Sequence, residues 1–136
     1  MTKITHFEDL ECWQQARELT RLVYNATKDT SFRKDLRLAG QIQAAATSSM
    51  ANIAEGFIRR SDKEFIQFLF IAMASTAEVQ SHLYVALDQE YIHQESFQEI
   101  YGQANKTGMI ISGLIKYLRT KTTRSTKPTK QARQTK

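Results

Sequence analysis

Apolar residues recur at steps of three and four along four segments of the chain, and short polar breaks separate these segments. Such spacing puts the apolar side chains on one face of an α-helix, so the pattern predicts four helices. The first follows Thr5-x-x-Glu8, a capping-box spacing. Its stripe consists of Leu10, Trp13, Ala16, Thr20, Val23, Tyr24 and Thr27. Residues 28–32 interrupt the pattern, and Ser31 is placed to cap the next helix.

The second predicted helix spans residues 33–56 and is dominated by small side chains. The small residues are Ala39, Gly40, Ala44, Ala45, Ala46, Ser48, Ser49, Ala51 and Ala54. Because neighbouring backbones can approach such a helix closely, we expect it to be a central element. Gly56 is predicted to end it, since glycine adopts the left-handed conformation of a helix C-terminus without a Cβ penalty.

The third predicted helix spans residues 62–89 and opens with a second capping box, Ser61-x-x-Glu64. Its main stripe comprises Phe65, Phe68, Leu69, Ala72, Thr76, Val79, Leu83 and Ala86. A second apolar row is formed by Ile66, Phe70, Met73, Ala77 and Tyr84. One stripe is enough to face the core of a monomeric bundle. The second row therefore predicts a subunit interface.

The fourth predicted helix starts at residues 94–96 and continues in a three-four pattern to Leu118. Residues 121–136 hold a mix of Lys, Arg, Thr and Gln that cannot bury enough apolar surface, so they are predicted to be disordered. Short connections force consecutive helices to run antiparallel. The sequence thus predicts an all-α, antiparallel up-down four-helix bundle over residues 1–120, followed by a disordered basic C-terminal tail over 121–136.

Composition and charge agree with this reading. A chain of 136 residues has room for one core, and 5 Gly and 1 Pro are too few for a turn-rich sheet protein. The net charge of +5 is carried by the C-terminal end, where seven basic residues and no acidic ones occur from Arg119 onward. Residues 1–118 hold 12 basic and 14 acidic side chains. The predicted bundle is therefore slightly acidic and the tail is basic.

The cellular location is predicted from two patterns that the sequence does not show, a membrane-spanning segment and a secretory signal. The longest nearly uncharged run, residues 65–77, is shorter than the roughly 20 apolar residues that cross a bilayer. Residues 1–9 contain no apolar h-region of a secretory signal. The single cysteine, Cys12, fits a reducing compartment. We expect a cytoplasmic protein without a membrane partner.

No pattern of residues indicates a catalytic, metal or cofactor site. A di-iron bundle needs two Glu-x-x-His pairs and two further carboxylates. The only such spacing, Glu90 to His93, falls in a predicted break, and Glu78 with His82 has no second pair to meet. Cys12 has acidic neighbours, which raise the pKa of a thiol. The sequence therefore predicts a protein that is not an enzyme and has no cofactor.

A polar pair, Asn52 and Glu55, stands three residues apart in the otherwise apolar last turn of the second predicted helix, just before Gly56. A buried amide or carboxylate must find hydrogen-bond partners. The pair is interpreted as part of a structural network that ties this helix to a neighbour or to another subunit. A ligand contact is the alternative.

Several of these motifs together resemble one family. Phe7-Glu8-Asp9-Leu10 with Trp13-Gln14, the run Asn52-Ile53-Ala54-Glu55-Gly56, and Ser61-x-Lys63-Glu64-Phe65 are similar to proteins encoded in 23S ribosomal RNA intervening sequences. The resemblance covers about residues 5–120 and departs at Met73-Ala74-Ser75, where the family often has a glycine before the serine. It implies a four-helix bundle assembled as a homo-oligomer, in family members a pentameric ring. It also implies likeness to accessory proteins of diversity-generating retroelements and no established enzymatic activity.

Two functions remain open at this stage. The first is binding of nucleic acid, RNA or DNA, through basic residues on the helices together with the tail. The candidate residues are Arg17, Arg21, Lys28, Arg33, Arg37, Arg59, Arg60 and Lys63. The second is a protein-binding scaffold, such as an accessory subunit for a reverse transcriptase or another RNA-handling enzyme, and it rests on the second apolar row of the third helix.

Overall fold

The computed structural model describes residues 3–125 and contains five helices and no strand within that range. A 3-10 turn, Phe7–Asp9, precedes α1 (Glu11–Ala26). It is followed by the short α2 (Thr30–Lys34), then α3 (Leu36–Phe57), α4 (Asp62–Asp88) and α5 (Gln94–Ser125). Four of these helices are long, as the sequence pattern predicts.

The long helices pack in a ring of neighbours, α1 against α3, α3 against α4, α4 against α5 and α5 against α1. Side-chain hydrogen bonds show the register of the α1–α3 pair. The Thr20 hydroxyl donates to the Ala46 carbonyl at 3.1 Å, and the Gln43 amide donates to the Thr27 hydroxyl at 2.9 Å. Later residues of α1 thus meet earlier residues of α3. Each neighbouring pair is antiparallel, which confirms the predicted up-down bundle.

The second predicted helix is in fact two helices, separated at Asp35. The backbone of Asp35 leaves the helical region (φ −82°, ψ 82°), and its side chain accepts a hydrogen bond from the Leu38 amide at 3.1 Å. Short polar side chains compete with the helix for backbone groups in this way. The preceding α2 closes one end of the bundle by burying Phe32, whose ring stacks on Tyr91 at 5.4 Å.

Two of the predicted N-terminal caps are wrong. Thr5 does not cap the first helix, because the chain makes the 3-10 turn first and α1 begins after Leu10 without a side-chain cap. Ser31 does not cap the next helix either. Asp29 does so, its carboxylate accepting from the Ser31 amide at 2.9 Å and from the Phe32 amide at 3.3 Å.

The starts of the last two helices are as predicted. Ser61 caps α4, its hydroxyl accepting from the Glu64 amide at 3.2 Å, and α5 begins at Gln94. The end of α5 differs from the prediction, since the helix includes residues 121–125 of the predicted tail. The remaining tail, residues 126–136, lies outside the described residues.

Gly56 has another role than the one predicted for it. It lies inside α3, which ends at Phe57, and no glycine of the described segment has a positive φ. A Cβ built on Gly56 would lie 2.6 Å from the Cβ of Phe68 and 3.0 Å from Cδ1 of Phe65. Glycine is therefore required by the close approach of α3 to α4 and not by a left-handed turn.

The core consists of two apolar clusters stacked along the bundle axis. One lies towards α2 and includes Leu19, Ile42 and Leu83; the other lies towards the α3–α4 connection and includes Ile53 and Leu69.

A layer of buried hydroxyls lies between these clusters along the helices. Ser49 stands between Ala46 and Ile53 of α3, and Thr76 and Thr107 hold the corresponding positions on α4 and α5. Each of the three hydroxyls donates to a carbonyl of its own helix, at 2.7 to 2.8 Å. The layer is thus satisfied without hydrogen bonds between these helices.

Candidate functional site

The basic residues of the α3–α4 connection lie beyond the end of α3 and at the start of α4. Arg59 and Arg60 follow the cap of α3, and Lys63 is the second residue of α4. The Arg59 guanidinium bonds Glu55 at 2.9 Å and lies over the Phe68 ring at 4.8 Å. Arg60 and Lys63 are exposed and have no ion-pair partner within the described residues. The structure thus keeps these three sequence-predicted residues together.

The C-terminal turns of α5 reach the same place. Lys121 Nζ lies 3.7 Å from Asp62 Oδ2 of α4, and the Arg119 guanidinium lies over the Phe70 ring at 5.2 Å. Lys3 lines the same cavity as Arg59 and Lys121.

We define the cationic corner as this set of six residues: Lys3, Arg59, Arg60, Lys63, Arg119 and Lys121. Three carboxylates are interspersed with them, those of Glu55, Asp62 and Glu64, so the corner is net positive. Glu8 and Asp9 of the 3-10 turn and Glu11 at the start of α1 are acidic. Sequence reasoning missed Lys3 and treated Arg119 and Lys121 as tail, because only tertiary packing brings these segments together.

The arginines of α1 lie apart from this corner. Arg17 is exposed, with its guanidinium 5.9 Å from the centre of the Trp13 ring. Arg21 makes a two-pronged bond to the Glu18 carboxylate, at 2.6 and 3.0 Å. This bond lowers the pKa of Glu18 and raises that of Arg21. Arg21 is accordingly a partly neutralised cation.

The remaining basic candidates lie at the opposite end of the bundle. Lys28, Arg33 and Arg37 are exposed around α2. The carboxylates of Asp29 and Asp35 stand among them as helix caps. The eight predicted nucleic-acid residues are therefore divided among three places. The cationic corner and the α2 end, where Lys34 is a fourth basic residue, each hold more basic than acidic side chains.

The second apolar row of α4 lies at the surface or close to it. Phe70 and Tyr84 are 40% and 50% exposed, Ala77 is exposed, and Ile66 and Met73 are half-buried.

Met73 and Ala77 line a shallow groove between α4 and α5 together with Gly108 and Met109, and Met109 is 67% exposed. Tyr84 is held against Phe97 and Tyr101 by edge-to-face contacts at 5.0 and 5.9 Å. The row thus leaves apolar side chains at or near the surface of α4 from Ile66 to Ala77 and again at Tyr84, with Gln80 between them.

Further exposed apolar side chains were not singled out from the sequence. Leu36 at the start of α3 and Ile58 at its C-cap are 80% and 71% exposed, and Ile71 and Val85 of α4 are 50% and 44% exposed. These large apolar residues lie outside the apolar rows predicted from the sequence, and that position could have identified them as exposed. The small residues of α3 masked it, because they dominated the pattern of that helix.

Asn52 and Glu55 do not form a pair with each other. The Asn52 amide donates to the Ser48 carbonyl at 2.9 Å and to the Ser48 hydroxyl at 3.0 Å, and that hydroxyl lies 2.9 Å from the Ser75 hydroxyl of α4. Glu55 is exposed and pairs with Arg59. Asn52 therefore belongs to a network that links α3 to α4, whereas Glu55 lies at the surface.

The candidate nucleophile Cys12 is buried in the core, and His82 bonds a residue of its own helix. Cys12 is buried, and desolvation raises the pKa of its thiol to about 12, with the charge of Glu11 a minor cause. The His82 ring bonds Glu78 at 3.3 Å within α4. Across residues 3–125, no group of three His, Cys, Asp or Glu side chains is placed to hold a metal ion. Nor does any helix in this range have the length and hydropathy needed to cross a membrane.

The sequence matches a known protein family, and the fold matches a solved structure. A family model described as 23S rRNA-intervening sequence protein matches residues 8–113. A crystal structure from Bacteroides thetaiotaomicron, of a protein with unknown function from the S23 ribosomal protein family, superposes with a TM-score of 0.71 and 25% sequence identity. The superposition covers 77% of this chain and 98% of that one. No curated protein matches the sequence. The chain belongs to the 23S rRNA-intervening sequence protein family.

Proposed function

We propose that the protein is a non-enzymatic homo-oligomer, assembled as a pentameric ring, that binds nucleic acid, with RNA as the expected ligand. The observation that carries the proposal is the meeting of the α3–α4 connection with the end of α5 at the cationic corner. Five further basic residues and no acidic ones follow Lys121 in the sequence.

Phosphate binding is favoured because two of these basic side chains are exposed and have no ion-pair partner within the described residues. Arg60 and Lys63 have no ion-pair partner within residues 3–121, so a phosphate need not displace a carboxylate from them. Each phosphate contact releases condensed counterions, which makes affinity depend steeply on salt. Repetition around a ring brings several corners to one strand and raises the effective affinity of each.

Self-association is supported by the exposed apolar side chains described above. A closed ring requires two different surfaces on each subunit, since every subunit contacts one neighbour with each. The groove between α4 and α5, with Met73 and Met109, is the candidate for one surface, and the exposed Leu36 and Ile58 at the two ends of α3 are candidates for the other. Burying them in a ring removes Leu36, Ile58 and Met109, the three most exposed large apolar residues of the described segment, from water.

A direct test measures binding of a fluorescein-labelled 20-nucleotide single-stranded RNA by anisotropy over a series of salt concentrations. The variant Arg60→Gln/Lys63→Gln is expected to weaken binding and to reduce the magnitude of the log–log salt slope by about 1.4, at roughly 0.7 per lost contact. Lys106→Gln, an exposed change on the middle of α5, is the matched control. Binding that is independent of salt, or equal in the double variant and the control, would refute the proposed site.

The oligomer is tested separately by size-exclusion chromatography with light scattering. The expected mass is a multiple of 15.6 kDa, five-fold for the ring. Ala77→Arg places a charge in the apolar groove and is expected to dissociate the assembly, whereas Lys106→Gln leaves it intact. A monodisperse 15.6 kDa species of the unmodified protein would exclude self-association under those conditions.

A protein-binding role is the second candidate, favoured by the exposed apolar side chains of α3 and α4. In this role the chain is an accessory subunit of a reverse transcriptase or of another RNA-handling enzyme. A reverse-transcriptase gene beside the coding sequence, and co-purification of the two purified products at a fixed stoichiometry, support it. Failure of the purified proteins to associate counts against it.

A further inference from the structure

A cavity of about 440 Å³ opens inside the cationic corner, between the N-terminal segment, the start of α4 and the last turns of α5. Its apolar wall comes from the core cluster that lies towards the α3–α4 connection. Leu10, Phe65 and Leu118 are buried members of that cluster, and Phe57 and Leu114 are half-buried against it. Tyr117, which is 58% exposed, forms an outer wall. The volume is within the range of small-molecule sites, roughly 300–1,000 Å³.

The rim of this cavity is charged and mainly positive. Lys3, Arg59 and Lys121 line it, with Asp62 as the one carboxylate. Arg59 is paired with Glu55, and Lys121 makes a long contact of 3.7 Å to Asp62. Counting Glu55 as well, the rim retains a net positive charge. An anionic group at the mouth is therefore favoured over a neutral or cationic one.

Two other occupants fit this chemistry less well. The chain beyond Lys121 carries five basic residues, and it offers no acidic side chain and no large apolar side chain. A nucleobase has polar edges that need partners. The uncharged polar lining is limited to the Ser61 hydroxyl, which already accepts from the Glu64 amide, and the Tyr117 hydroxyl at the outer wall.

We propose that this cavity binds small amphiphilic carboxylates, with an aliphatic chain against Leu10, Phe65 and Leu118 and the carboxylate between Lys3 and Lys121. The binding site is made within one subunit. It goes beyond the proposed nucleic-acid function and requires no nucleic acid.

Isothermal titration calorimetry with decanoate, kept below its micelle concentration, tests this on the full-length protein without nucleic acid. Decyltrimethylammonium has the same chain with the opposite charge and is expected to bind at least tenfold more weakly. Lys3→Gln and Lys121→Gln are each expected to weaken decanoate binding about two- to five-fold, as for exposed ion pairs. Lys106→Gln is the matched control, with no expected change.

The apolar wall is tested with two variants that differ in their risk to the fold. Leu114→Trp fills the cavity and is expected to abolish decanoate binding, with helicity checked by circular dichroism. Tyr117→Ala removes an exposed wall, which does not endanger folding, and is expected to weaken binding several-fold. Equal affinity for the two amphiphiles, or decanoate binding that both variants leave unchanged, overturns the proposal. Loss of RNA binding in the Arg60→Gln/Lys63→Gln variant leaves this result unaffected.

Discussion

The close approach of α3 and α4 at Gly56 gives a sharp prediction for the substitution Gly56→Ala. An added Cβ would lie 2.6 Å from Phe68 Cβ and 3.4 Å from the Phe65 carbonyl oxygen. Neither atom is the free end of a flexible side chain, so the helices must move apart. Overpacking of this kind costs about 1–3 kcal/mol. Replacing a helical glycine by alanine stabilises by about 0.5–1 kcal/mol, so the net expected loss of unfolding free energy is about 0–2.5 kcal/mol.

The same helix provides the control. Gly40 lies in α3 as well, and a Cβ built on it meets nothing within 4 Å. Gly40→Ala is therefore expected to raise the unfolding free energy by about 0.5–1 kcal/mol. Both are measured by urea denaturation followed by circular dichroism at one fixed protein concentration, because self-association makes stability depend on concentration. If Gly56→Ala is as stabilising as Gly40→Ala, the packing explanation of Gly56 is wrong.

Two further predictions concern a cap and a thiol. Asp35→Ala removes both the cap of α3 and the partner of the Tyr91 hydroxyl, which donates to Asp35 at 3.0 Å. We expect the free energy of unfolding to fall by about 1–3 kcal/mol in the same denaturation assay. An unchanged midpoint would contradict this. Because the pKa of Cys12 is raised to about 12, its contribution to stability is fully present below the unfolded pKa near 9 and is lost as pH rises towards 12. Accordingly, Cys12→Ala is expected to flatten the decline of stability above pH 9, and Ellman's reagent is expected to modify the thiol only after unfolding.

The long helices could be predicted because their apolar period and their polar caps agree. Ser61 and Gln94 mark the starts of α4 and α5, and both positions are confirmed. The errors in the helix boundaries came from aspartates whose side chains bond backbone amides and so end or cap a helix. Asp35 breaks the second predicted helix by bonding the Leu38 amide, and Asp29 takes the capping role assigned to Ser31.

The role of Gly56 could not be derived from the sequence, since a left-handed turn and a helix contact both require glycine. The packing of Phe65 and Phe68 against α3 decides between them. The grouping of basic residues at the surface could be predicted only where those residues are close in sequence. The basic residues of the α3–α4 connection are contiguous in sequence, whereas Lys3 and Lys121 join them through tertiary packing.

The hydroxyl layer between the two core clusters has a consequence for how the bundle opens. Because Ser49, Thr76 and Thr107 bond within their own helices, they do not join the helices to one another, and at this level the neighbouring Ser48 and Ser75 hydroxyls link α3 to α4. Each cluster is therefore expected to stabilise chiefly its own half of the molecule. We expect local unfolding of the half with the cationic corner to leave the half closed by α2 folded.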